Sequence, residues 1–105
     1  MKLNAWFQCI NGCSGRHPLN EIIYRCPQCD ELLEVQHDMD LLKQLSSDEW
    51  KALFKDRVGR HEWPYGSSVW GKKEWVCPNL NNENVVSTLE GGTNLFWAER
   101  LGNQL

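Results

Sequence analysis

At 105 residues the chain has room for one domain and not for two large ones. Its 41% hydrophobic and 24% charged residues exclude a disordered chain, and no apolar run approaches the ~20 residues of a membrane helix. The net charge of −3, with Lys72-Lys73 the only adjacent basic pair and Glu74 directly behind it, speaks against a nucleic-acid partner held through its phosphates.

The opening Met1-Lys2-Leu3-Asn4-Ala5 has no long apolar stretch after it, so no secretory signal is expected and a cytoplasmic setting is. Trp6-Phe7-Gln8 reads as a strand leading into Cys9. Three residues separate Cys9 from Cys13, twelve separate Cys13 from Cys26, and two separate Cys26 from Cys29. Two short-spaced pairs joined by a hairpin are what a tetrahedral zinc ion asks of a small ribbon. Pro27 and Asn11-Gly12 suit the tight turns that would aim both thiolates of each pair inward. Iron on the same four sulfurs is the main competitor, because such sites discriminate poorly between the two metals. Two disulfides, or reduced core thiols, are the plainer readings, and a cytosolic setting argues against the disulfides. Cys77 is left over and reads as a small buried hydrophobe. Four thiolates leave no open coordination position, which makes the expected Zn2+ structural and not catalytic. Together with the ion they would take the net charge from −3 to −5.

Pro18 and Asn20 mark a turn before a second strand, Glu21–Arg25, and Leu32–Gln36 reads as a third. Leu41, Leu42 and Leu45 suggest a short helix. Ser46 and Glu49 form a capping box for a longer one, with Trp50, Leu53, Phe54 and Val58 as its apolar stripe and Gly59 at its end. Residues 60–82 read as an irregular connector. Val85–Leu89 reads as a strand, and Thr93 as the cap of a last helix with Leu95, Ala98 and Leu101 inward and Gly102 at its end. The expected class is α+β: a small rubredoxin-like zinc β-ribbon over residues 1–37, a helical segment over 38–60, and a connector over 61–105. His17, His37 and His61 are scattered and read as surface or packing residues, with His37 the best candidate for an outer partner of the metal. No GxGxxG or P-loop occurs; Gly91-Gly92 could meet an anion, but a strand-to-helix turn explains it more simply.

Three segments in one order resemble the opening of the threonine synthase family. They are His17–Cys29 with Leu32-Leu33-Glu34-Val35, Ser67-Ser68-Val69-Trp70 with Glu74-Trp75, and Glu90-Gly91-Gly92-Thr93-Asn94-Leu95 continued by Trp97, Arg100, Leu101 and Gly102. The sequence departs from that pattern in its wider first cysteine pair, in Asp30 where glycine commonly follows the second pair, in Gly71-Lys72, and in Asn94 for proline. The resemblance implies the N-terminal part of a pyridoxal-phosphate-dependent lyase of fold type II, acting in threonine biosynthesis on O-phosphohomoserine and water. It also implies that the cofactor's lysine and glycine-rich loop lie downstream of Gly102. On that basis residues 61–105 would begin the catalytic body, which becomes the expected partner. Small-molecule substrate and pyridoxal phosphate would bind only in the full-length parent, and this chain would have no catalytic residue. A stand-alone zinc-ribbon adaptor for protein partners, and the opening of a related enzyme such as cysteate synthase, are the alternatives.

Overall fold

A computed structural model describes residues 2–105. Strand β1, Ala5–Cys9, is the centre of a three-stranded antiparallel sheet in the order β2-β1-β3. Its partner β3, Leu33–His37, runs the full length of the pairing, from Ala5 opposite His37 to Cys9 opposite Leu33. The other partner, β2, is only His17–Pro18, opposite Phe7 and Trp6. Pro18 lacks an N–H, so an edge position costs the ladder nothing. Arg16 lies over the Trp6 ring with its guanidinium carbon 3.9 Å from the centroid, covering the outer side of this edge.

The expected strand Glu21–Arg25 does not form. Backbone bonds from Glu21 N–H to the Pro18 carbonyl (3.1 Å) and from Ile23 N–H to the Glu21 carbonyl (3.0 Å) turn the chain away. Only Arg25 bridges, to Leu32, while Ile22 and Tyr24 are 85% and 81% exposed. The β-propensity of Ile22-Ile23-Tyr24 loses to the turn these two bonds close, although the outer edge of β3 stays open beyond the Arg25–Leu32 bridge.

Helix α1 is Met39–Leu42, capped by the Asp38 carboxylate, which accepts from Leu41 N–H at 3.3 Å. Helix α2, Ser47–Arg57, has the expected capping box: the Ser46 hydroxyl accepts from Glu49 N–H and the Glu49 carboxylate accepts from Ser46 N–H. Val58 departs from the expected stripe. It is already extended and 77% exposed, and Gly59 follows at φ +77°, where a side chain would be strained.

The connector is more ordered than its sequence suggests. A 3₁₀ turn at Trp70–Lys72 runs into α3, Lys73–Val76. Trp75 of α3 packs edge-on against Trp50 and Phe54 of α2, with ring centroids 5.7 and 4.9 Å apart. Beside this cluster the Arg57 guanidinium grips the Glu74 carboxylate with two bonds of 2.7 Å, donates to the Gly71 carbonyl and stacks on Tyr65. Asn79 then ties this unit to the sheet: its side chain accepts from Ala5 N–H and donates to Asn4 Oδ1 and the Ala5 carbonyl.

The strand expected at Val85–Leu89 is absent. After a 3₁₀ turn at Asn82–Asn84 the segment is extended but pairs with no strand, with Val85 buried and Val86 83% exposed. The last helix, α4, is Glu99–Gln104, later than expected. Ala98, not Thr93, precedes it, and Gly102 falls inside it. Leu95 is 100% exposed and Leu101 57%, so neither turns inward. The radius of gyration, 18.4 Å, far exceeds the ~13 Å of a compact chain of this length. The class is α+β, as expected. No helix among the described residues is long and apolar enough to cross a membrane.

Candidate metal centre

Four sulfurs converge at one end of the sheet. The Sγ atoms of Cys9, Cys13, Cys26 and Cys29 all lie within 4.8 Å of one another, with Cys9 and Cys29 3.4 Å apart. Cys9 ends β1, and the ladder continues one step beyond it through Ile10 N–H to the Leu32 carbonyl (3.2 Å). The chain then folds back at Gly12, whose φ of +80° a side chain would resist and whose N–H reaches the Cys9 carbonyl. Cys26 enters from the Arg25–Leu32 bridge, its N–H bonded to the Glu31 carbonyl at 2.8 Å. The second turn closes with Asp30 N–H on the Cys26 carbonyl, and Asp30 sits at φ +63°.

Each turn also points backbone donors at sulfur. Asn11 N–H meets Cys9 Sγ and Gln28 N–H meets Cys26 Sγ, both at 3.4 Å, and the Asn11 side-chain amide approaches Cys29 Sγ at 4.0 Å. Such donors stabilise thiolate over thiol. Cys9 and Cys26 are buried, Cys13 is half-buried and Cys29 is exposed. Burial, the largest influence on Cys9, pushes its thiol up, but Asn11 N–H and the Cys29 and Cys26 thiols together bring it down to about 7. Cys13 is pushed up to about 12 by its bonds to Cys29 and Cys9 and by burial. On Cys29 the Glu31 N–H is the largest influence and lowers the thiol, yet Cys9 and burial outweigh it and the net direction is upward. Four crowded sulfurs therefore resist ionising together unless a cation joins them.

The structure brings together the four cysteines singled out by spacing and leaves the other candidates apart. All five cysteines are free thiols. Cys77 follows α3 and is half-buried. His37 closes the far end of β3, four residues or about 13 Å from Leu33 at the sulfur end, so it is no outer partner of the cluster. Its Nδ1 is buried with no hydrogen-bond partner among the described residues. His17 lies in β2 with Nδ1 3.9 Å from Glu21. His61 is exposed.

A second cluster was invisible to spacing. Ser68 N–H donates to the Glu90 carbonyl at 3.0 Å, which joins the Ser67–Trp70 and Glu90–Thr93 segments. A Cβ on Gly91 would overlap the Ser68 hydroxyl, so only glycine fits there. The Glu90 carboxylate turns back onto Thr88 N–H and the Ser87 hydroxyl, both at 2.9 Å. Both segments are conspicuous as short motifs, but nothing in their order along the chain says that they touch.

The sheet, the short helices and the sulfur cluster define a small α+β protein built on a four-cysteine ribbon. No family model matches the chain. It is 52% identical over 88 residues to threonine synthase 2, chloroplastic, of Arabidopsis thaliana, an alignment covering 84% of this chain and 17% of that protein. It is 33% identical over 98 residues to the threonine synthase of Methanocaldococcus jannaschii, covering 93% of this chain and 21% of that one. The chain belongs to the threonine synthase family, and it spans about a fifth of the length of these curated relatives.

Proposed function

We propose that this chain is the N-terminal, zinc-stapled portion of a threonine synthase-like enzyme. In this reading the full-length parent is a cytoplasmic lyase that converts O-phosphohomoserine and water to threonine and phosphate. The observation that carries the reading is the 52% identity to a threonine synthase across 84% of the chain. Cys9, Cys13, Cys26 and Cys29 hold the ion. A tetrahedral ZnS4 centre with ~2.3 Å bonds separates its sulfurs by about 3.8 Å, and the observed cluster, with its sulfurs within 4.8 Å and its N–H donors in place, fits that size. The ion's role is structural, because four thiolates fill its coordination.

Pyridoxal phosphate, the electron sink of the parent's chemistry, is held by the remainder of the enzyme, and no residue of this chain is assigned to it. The catalytic body is the partner on which the exposed Leu95, Phe96 and Trp97 dock. The test is to assay the full-length, cofactor-loaded parent with O-phosphohomoserine and, separately, with O-phosphoserine. Phosphate and threonine from the first substrate alone are the expected result. Turnover of O-phosphoserine alone would assign the chain to a cysteate synthase instead. Turnover of neither would overturn both enzyme readings.

A further inference from the structure

Between α1, the first turns of α2 and α3 lies a groove of about 490 Å³. That size falls within the roughly 300–1,000 Å³ of small-molecule sites. Met39, Leu42, Leu45, Trp50 and Trp75 make its walls. Trp50 is buried, and its indole N–H is already engaged by the Leu42 carbonyl at 2.9 Å, so it offers a ligand only its apolar ring. Trp75 and Met39 are 47% and 54% exposed, which leaves this apolar surface open to water.

The charged groups around it share one sign. Lys43 and Lys51 line the groove and no acid does, in a chain whose net charge is −3. Lys43 takes part in none of the ion pairs among the described residues. Lys51 meets Asp48 at 3.8 Å, but both side chains are largely exposed, so that pair holds the ammonium weakly. Ser47, the first residue of α2, is also on the lining, which sets the positive end of that helix at the same rim. His37 completes the lining, and its Nδ1 is the one buried side-chain nitrogen without a hydrogen-bond partner among the described residues. An unpaired buried nitrogen costs stability that a ligand recovers if the ring turns to meet it.

We infer that this groove binds an aromatic monocarboxylate. The apolar walls set the body of the ligand, and the edge-on pairing of Trp50 and Trp75 favours an aromatic ring beside them. The positive rim sets its head group: the carboxylate pairs with Lys43 and Lys51, and His37 supplies a further polar contact. The site stands independently of the reaction proposed for the parent.

The test is a titration of the 15N-labelled 105-residue chain with 3-phenylpropionate at constant ionic strength, in parallel with its neutral amide and with acetate. Saturable shifts of the Met39, Lys43 and Ser47 amides and of the Trp50 and Trp75 indole N–H groups, with one common dissociation constant, are expected. The neutral amide should bind about threefold or more weakly, and acetate, which lacks the body, should give no saturable shift. Replacing both lysines, Lys43→Ala with Lys51→Ala, should weaken the constant about tenfold, as the loss of two exposed ion pairs implies. Lys55→Ala, on the same helix but off the lining, should leave it unchanged, and unmoved Ser46 and Glu49 amides will show that α2 is intact in both variants. Linear shifts with 3-phenylpropionate, equal affinity for the acid and its amide, or wild-type binding by the double variant would each overturn the inference. So would the same shifts on concentrating the ligand-free chain, since they would make the groove the seat of a second copy.

Discussion

Asp30 shows how one backbone angle carries family information. It holds φ +63° at the point where the second cysteine turn closes, and the resemblance places glycine there. Asp tolerates the left-handed region better than most residues, but glycine enters it without Cβ strain. Asp30→Gly should therefore leave the cluster intact and stabilise the metal-loaded ribbon by about 0.5–1 kcal/mol, read as a higher denaturant midpoint. A loss of stability would mean that the Asp30 side chain contributes more than its backbone angle costs.

Glu74 gives the pH dependence. Burial is the largest influence on its carboxyl and pushes it up, but the two bonds from Arg57 outweigh burial and hold it below the usual carboxylate range. Glu49 is likewise lowered, first by Ser46 N–H and then by the Ser46 hydroxyl. A carboxyl depressed in the folded state contributes stability that is fully present above its unfolded value of about 4.3 and is lost as pH falls through the folded value. The α2–α3 unit should thus hold constant stability from neutrality to about pH 5 and weaken below about pH 4.3. Glu74→Gln should flatten that acid limb while lowering stability at pH 7, and an acid limb unchanged in this variant would exclude Glu74 as its source. At this scale the sequence was legible where a residue acts on near neighbours: the cysteine spacing and the Ser46–Glu49 cap were readable. Arg57–Glu74 and Asn79 were not, because their partners lie 17 and 74 positions away and no local pattern encodes them.

Among the elements, α2 was readable because capping and apolar period agree. Trp50 is its buried anchor, 5% exposed, with its indole N–H on the Leu42 carbonyl at 2.9 Å and its ring on Phe54 and Trp75. Trp50→Ala removes the centre of the only aromatic cluster among the described residues and should cost about 3–5 kcal/mol, enough to melt α1, α2 and α3 together in a urea titration followed by amide signals. Independent survival of α3 in that variant would contradict the packing described. The strands expected at Glu21–Arg25 and Val85–Leu89 failed for one shared reason. Side-chain propensity says that a segment tolerates extension, but a ladder also needs the chain to run along a partner strand, and local turns at Glu21–Ile23 and Asn82–Asn84 direct both segments elsewhere. Gly-, Pro- and Trp-rich residues 60–82 hid α3 in the opposite way, since four residues are too few to show a period.

Across the whole molecule, burial runs from Ala5 to Val85 and stops there. The ribbon buries little beyond Ala5, Cys9 and Cys26, so an ion on its cysteines, as proposed, would supply much of what holds it. Residues 95–105 are exposed throughout and present Leu95, Phe96 and Trp97 to solvent. That profile suits a segment whose packing partner is the rest of a larger enzyme. Amide exchange should accordingly be slow in β1 and β3 and near the intrinsic rate from Leu95 to Leu105 in this chain alone. Strong protection across the last helix would show that it folds without a partner.

The metal itself is the most direct test of the account. Elemental analysis of the chain, purified under reducing conditions without added metal, should find one zinc per polypeptide in the wild type and essentially none in Cys26→Ser. Removing that zinc with a chelator should collapse the amide dispersion of residues 5–36 while leaving the capping-box signals of α2 in place. A metal-free chain that keeps its ribbon spectrum, or a stoichiometric iron in place of zinc, would contradict the claim that these four cysteines form a zinc staple.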